Sequence, residues 1–243
     1  MNARLALYAG LGTLALGAAC VAPMCRTSAI EPGLTLSTEL GGTLFRSTGI
    51  VKDTSSWWGG HTVPLTCVGA QADLRATCGF KTWLGADLSA GFNVGSIVHR
   101  PESLKTAWTG SWRLAAAALF RPWPHNSLMF VEYQLPHLFC LGWVSGFPLH
   151  GREQWSVMAQ LGVIPFYVAT HDLDVGWRDF VPDFFELAVR RNFTLKQGAI
   201  APALGGTVAW NWDTFVPTLT NATLGLIWSP PPFSRTGQPL GGR

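Results

Sequence analysis

The sequence predicts an all-β fold, an antiparallel up-and-down transmembrane β-barrel of about eight to ten strands. Three observations predict it. Charged residues make up only 13% of the chain, about half the usual quarter for soluble domains, and the mean hydropathy is +0.22. A multi-helix membrane protein would need several apolar runs of about twenty residues, and only the N-terminus supplies one. The rest of the chain instead repeats a period-two alternation of apolar with small or polar residues, the mark of strands with two different faces.

The N-terminus reads as an export signal. Met1 to Arg4 is a short basic head, Leu5 to Leu16 is an apolar stretch rich in Gly and Ala, and Gly17-Ala18-Ala19 supplies the small residues of a cleavage site. The competing reading is a retained anchor over Leu5 to Met24. Leu16-Gly17-Ala18-Ala19-Cys20 also resembles a bacterial lipoprotein processing box, which makes Cys20 a lipidation candidate. It departs from that box in placing the large aliphatic residue one position early.

The strands follow in order. Leu34 to Arg46 alternates weakly. Thr66 to Ala76 sets Val68, Ala70, Ala72 and Leu74 against Gly69, Gln71, Asp73 and Arg75. Trp83 to Gly95 is the clearest: Leu84, Ala86, Leu88, Ala90, Phe92 and Val94 oppose Gly85, Asp87, Ser89, Gly91 and Asn93. Ala107 to Phe120 carries Arg113 on its polar face but blurs where Ala115, Ala117 and Leu119 make both faces apolar. Ser127 to Leu135 opposes Met129, Val131 and Tyr133 to Glu132 and Gln134. Leu138 to Phe147 is apolar on both faces and is the least regular. Gln154 to Pro165 is weak, Phe184 to Leu195 is clear with Glu186 and Arg190 on its polar side, and Leu204 to Trp212 and Ala222 to Trp228 complete the set. Arg191 falls on an apolar face and fits the pattern only with a register shift or bulge.

The polar face decides between a water-soluble and a membrane barrel. It is rich in Gly, Ser, Thr and Asn with sparse charges of both signs, which suits a narrow lumen where charges pair. The lumen-facing candidates are Asp73, Arg75, Asp87, Arg113, Glu132, Glu186 and Arg190. Tryptophans near strand ends, Trp83, Trp108, Trp155, Trp212 and Trp228, are candidates for aromatic belts at the headgroup level. Connections alternate long and short. The parity holds for ten strands if Pro136 marks a very tight connection; if residues 127 to 147 form one strand, eight is as good a count.

This pattern, over roughly residues 32 to 229, resembles the broad class of bacterial outer-membrane β-barrels. The resemblance implies short periplasmic turns, long outer loops and location in the outer membrane. On that frame the chain divides into a signal peptide (1–19), an N-terminal periplasmic segment (20–31), the barrel (32–229) and a disordered tail (230–243). The Pro- and Gly-rich tail departs from barrels that finish on a terminal aromatic, here Trp228.

Chemistry-bearing motifs are few. The five cysteines form no metal-ligand spacing, so no metal or other cofactor is expected. If Cys67 and Cys78 share one strand, they lie roughly 30–36 Å apart and cannot bridge. His125, Ser127 and Glu132 have no specific triad spacing. His171, Asp172, Asp174, Asp179 and Asp183 read as a solvated acidic loop, and Trp57-Trp58-Gly59-Gly60-His61 as a loop over the barrel mouth or a docking point. Asn192 and Asn221 head three-residue matches to a glycosylation pattern. Scattered Lys and Arg give no nucleic-acid footprint. The leading expectation is a non-enzymatic structural or interaction barrel, with minor passage of small solutes. Its expected partners are membrane lipid and an envelope protein reached through the long loops. The alternatives are a lipid-anchored periplasmic barrel with an apolar ligand and an outer-membrane acyl hydrolase.

Overall fold

The protein is described from a computed structural model, which covers residues 25–47, 65–99, 108–122, 126–135, 138–149, 152–163, 184–195, 197–211 and 216–231. The strands are β1 (Gly33–Ser47), β2 (Leu65–Lys81), β3 (Leu84–His99), β4 (Trp108–Phe120), β5 (Ser127–Leu135), β6 (Leu138–Leu149), β7 (Arg152–Val163), β8 (Phe184–Arg191), β9 (Phe193–Leu195), β10 (Gly198–Asn211) and β11 (Val216–Ser229). Each pairs antiparallel with its neighbour in sequence, except that β8 and β9 both pair with β10. They are two pieces of one staff interrupted at Asn192, so the barrel has ten staves. β1 then pairs with β11, from Thr38↔Trp228 to Ser47↔Leu219, and closes the sheet on itself. Closure leaves no edge with unpaired backbone groups, as lipid requires.

Alternation and closure together sort the side chains. On β3 the burial alternates almost without break from Leu84 to Gly95. Outward go large apolar residues such as Leu40, Leu74, Leu88, Phe92, Leu141 and Leu224, each at least half exposed. An apolar band of this extent would be untenable against water and is what a hydrocarbon bilayer needs. Inward go Gln, Ser, Thr, Asn and charged groups. Among the described residues no helix is long and apolar enough to cross a membrane; the crossing elements are strands.

Ten staves is the count set by the tight connection between β5 and β6. Only residues 136 and 137 separate those strands, and Gln134 stands opposite Leu138. At one end of the barrel the connections are short: 82–83, 121–126, 150–151 and 196–197. At the other end lie 48–64, 100–107 and 164–183, with 136–137 and 212–215 shorter. β1 begins and β11 ends at the short-turn end, which is the periplasmic end of a barrel of this type.

Where the alternation blurs, the structure gives the reason. Ala117 and Leu119 on β4 and Val144 on β6 face inward with Leu128, Phe130, Met158, Ala188, Ala201, Ala203 and Ile227 in one buried apolar cluster. The lumen therefore has an apolar layer, and strands lining it are apolar on both faces.

Arg191 is explained by the end of β8. It stands outward at the short-turn end, with its guanidinium 5.4 Å from the Trp155 ring centre and 4.9 Å from that of Phe193. A cation held over aromatic faces at a strand end is stabilised by the rings, which offsets its cost on an apolar face. The ladder breaks beside it at Asn192, whose N–H donates to the Gln154 carbonyl and whose Oδ1 accepts from Arg190 Nε.

Cys67 and Cys78 both lie on β2 and both are free thiols. Trp83, Trp155 and Trp228 are outward and about half exposed at the short-turn end, and Trp108 is exposed at the other. Trp212 lies outside the described residues, as do residues 1–24 with Cys20, both loops carrying Trp57 and His171, and most of the tail.

Candidate functional site: the barrel lumen

The seven lumen candidates all point into the barrel and all are buried: Asp73, Arg75, Asp87, Arg113, Glu132, Glu186 and Arg190. Each sits on a strand position whose immediate neighbours face lipid, so the pleat alone aims it inward. The geometry adds Glu39, Gln71, Gln134 and Gln160, also buried in the lumen.

These groups pair within the lumen. Asp73 and Arg113 form a fully buried ion pair. Gln160 donates to Glu186 at 2.9 Å, and Gln134 donates to Glu132 at 2.6 Å. Asp87 approaches Arg75 at 3.7 Å. The wall nonetheless carries five buried carboxylates, Glu39, Asp73, Asp87, Glu132 and Glu186, against three buried arginines, Arg75, Arg113 and Arg190. Leaving a buried carboxylate without a counter-charge is costly.

The missing cation comes from outside the strands. Residues 25–31, reckoned above to the periplasmic segment, run inside the barrel from its short-turn end: Cys25, Arg26, Ser28 and Ile30 are all buried. Arg26 Nε and Nη2 donate to the two oxygens of Asp87 at 3.0 and 3.2 Å. Nη2 also donates to Glu132. The guanidinium lies 3.9 Å from the centre of the Phe130 ring. Arg190 Nη1 donates to the Cys25 carbonyl at 3.0 Å, fastening the far side of the segment to β8.

The wall is shaped for this segment. A Cβ at Gly79 would meet the Glu31 carbonyl oxygen at 2.0 Å, so only glycine lets the backbone pass there. A Cβ at Gly142 would meet the Phe130 ring at 2.0 Å, so that glycine makes room for the ring on which Arg26 lies. Ile30 joins the same apolar cluster as Phe130 and Leu128.

Sequence reasoning missed Arg26 because it lies on no strand and has no periodicity. Its signal was isolation: between Arg4 and Arg26 the chain has no charged residue. Glu39 and Gln160 carried the alternation signal, but on strands where it was weak. Ser127 and Glu132 are not assembled into a hydrolytic site; five residues along β5 separate them by roughly 17 Å, and Glu132 is engaged by Arg26 and Gln134. Among the described residues no group of His, Cys, Asp and Glu could hold a metal ion. Asn221 faces the lumen and accepts a hydrogen bond from Thr43 at 2.7 Å, which is no position for a glycan.

An outward apolar band around a polar, charge-paired lumen defines a β-barrel protein of the outer-membrane class. Similar solved structures belong to that class. An outer membrane channel from Pseudomonas putida F1 is 12% identical with TM-score 0.44, over 86% of this chain and 99% of that one. Ail, the attachment invasion locus protein of Yersinia pestis, is 11% identical with TM-score 0.34, over 82% and 99%. OprG from Pseudomonas aeruginosa is 11% identical with TM-score 0.28, over 82% and 96%. No family model and no curated protein matches the chain.

Proposed function

We infer that this protein is a structural or interaction barrel of the outer membrane whose lumen is closed by its own N-terminal segment. The carrying observation is the burial of the lumen's central charges: Arg113, Glu132 and Glu186 are 0% exposed. Side chains and the segment fill the cross-section at that level, as expected for a barrel of few strands. Such a barrel acts through its surfaces, with lipid around the wall and an envelope partner at the long connections 48–64 and 164–183. Beside its apolar layer the interior carries buried Asp, Glu and Arg side chains while the outward face is apolar, which disfavours the lipocalin-like alternative with its apolar cavity. The hydrolase alternative has no assembled nucleophile among the described residues.

The test is electrical. Purified full-length protein in planar bilayers is expected to give no steady conductance, and proteoliposomes should not swell in small sugars. A large persistent conductance would remove the closed-barrel reading and make the protein a porin.

A further inference from the structure

We propose that Asp87, Glu132 and Phe130 form a guanidinium-binding site in the barrel wall, and that Arg26 fills it as a tethered ligand which a free organic cation of the same class can replace. The inference rests on the closed-lumen reading only for its biological setting; the site itself stands on its own geometry.

The site has the chemistry that selects a guanidinium. Asp87 offers both carboxylate oxygens to two nitrogens of one planar fork, at 3.0 and 3.2 Å. This bidentate match is what distinguishes guanidinium from a spherical ammonium. Glu132 closes a third side, and the Phe130 ring lies against the guanidinium at 3.9 Å. These groups come from two strands of the wall, Asp87 from β3 and Glu132 and Phe130 from β5, with β6 contributing the space at Gly142. The site is therefore built by the barrel and merely occupied by the segment. It is also fully desolvated: the side chains of Arg26, Asp87 and Glu132 are 3%, 1% and 0% exposed. The wall's excess of carboxylates persists without Arg26, so removal of that side chain leaves a vacancy of the shape and charge of a small guanidinium.

Tethering explains why the site is filled at rest. A segment joined directly to β1 holds its arginine at a high effective concentration, so a free cation competes only when abundant. A ligand that displaced Arg26 would remove the segment's tie to β3 and β5 and loosen it around Cys25, which is 1% exposed and is otherwise held by Arg190.

The experiment uses the full-length chain with Arg26→Ala, in detergent, titrated with methylguanidinium at constant ionic strength, with tetramethylammonium as the control. Assembly is checked by the mobility of unboiled protein. The expected result is a lower melting temperature than wild type and a saturable upward shift with methylguanidinium in the millimolar range, which tetramethylammonium does not give. The shift should vanish when Asp87→Asn is added. A variant that melts identically with both cations overturns the site. If Arg26→Ala does not assemble, wild type decides: dose-dependent labelling of Cys25 by a maleimide, read by peptide mass, supports competition for the site, and labelling unchanged by methylguanidinium overturns it. Failure here leaves the closed barrel intact, whereas a conducting wild type that still passes the titration removes only the closed-barrel reading.

Discussion

At the scale of single residues, the lumen is governed by fit between partners far apart in the chain. Arg26 meets Asp87 and Glu132 across 61 and 106 residues of sequence, and its ring partner Phe130 depends on the missing side chain of Gly142. Gly142→Ala should therefore act on Arg26 without touching it. The added methyl would displace a ring that is 0% exposed, and overpacking of this kind typically costs about 1–3 kcal/mol. The expected outcome is a lower unfolding midpoint in urea for the bilayer-inserted protein, with faster labelling of Cys25 as the segment loosens. A Gly142→Ala protein with wild-type stability and labelling would mean that Phe130 has room to move and does not locate the arginine. The charges of the lumen were legible in the sequence as a face, since every second residue of a membrane strand must look inward. Their pairing was not, because alternation says nothing about which strand lies opposite which. Arg26 shows the limit most plainly: it has no period to read, and only the unmatched carboxylates of the folded wall reveal where it belongs.

At the scale of the strand, the barrel wall is one residue thick, with lipid on one side and paired charges on the other. This explains why the two faces of β2 and β3 could be read over Thr66 to Ala76 and Trp83 to Gly95, although the strands run on to Lys81 and His99. It also explains why the faces of β4 and β6 blurred although their spans, read as Ala107 to Phe120 and Leu138 to Phe147, lie close to the observed ones. The inner face of the latter two lines the apolar layer around Phe130 and Val144, so both of their faces are apolar and the alternation fades. The regular pattern of β8 breaks at Arg191, where the strand ends. There Trp155 and Phe193 receive the cation. Depth along the strand decides what an outward arginine costs. Leu74→Arg, at the middle of β2 and outward, should destabilise the inserted barrel by about 2–4 kcal/mol, the cost of a basic side chain near the bilayer midplane. Lys81→Arg at the short-turn end of the same strand, where the cation already lies 5.4 Å from the Trp83 ring, should change stability little. Denaturant midpoints in vesicles compare the two. Equal effects would mean that Leu74 does not face hydrocarbon and that the outer face has been misassigned.

At the scale of the molecule, everything rests on closure between β1 and β11, the first and last strands, 38 to 47 meeting 219 to 228. Closure turns a sheet with two sticky edges into an object that a bilayer can accept, and it creates the enclosed lumen in which nine buried charges can coexist. It also fixes the inward set, because a one-residue slip at the seam would send either Glu39 and Thr43 of β1 or Asn221 and Thr223 of β11 into lipid. The seam can be tested directly. Thr43 and Thr223 stand opposite each other and face the lumen; directly opposed residues in an antiparallel pair have Cα atoms about 4.5–5.5 Å apart, within the range for a disulfide. The double variant Thr43→Cys with Thr223→Cys should cross-link under mild oxidation in assembled protein. The product joins the two ends of the barrel and should run anomalously on a denaturing gel until reduced. Thr43→Cys with Ala222→Cys places the second thiol on the lipid face and should stay unlinked. Cross-linking in the second variant but not the first would shift the seam by one residue, exchange the lumen and lipid sets near it, and remove Glu39 from the charge balance that draws Arg26 inside.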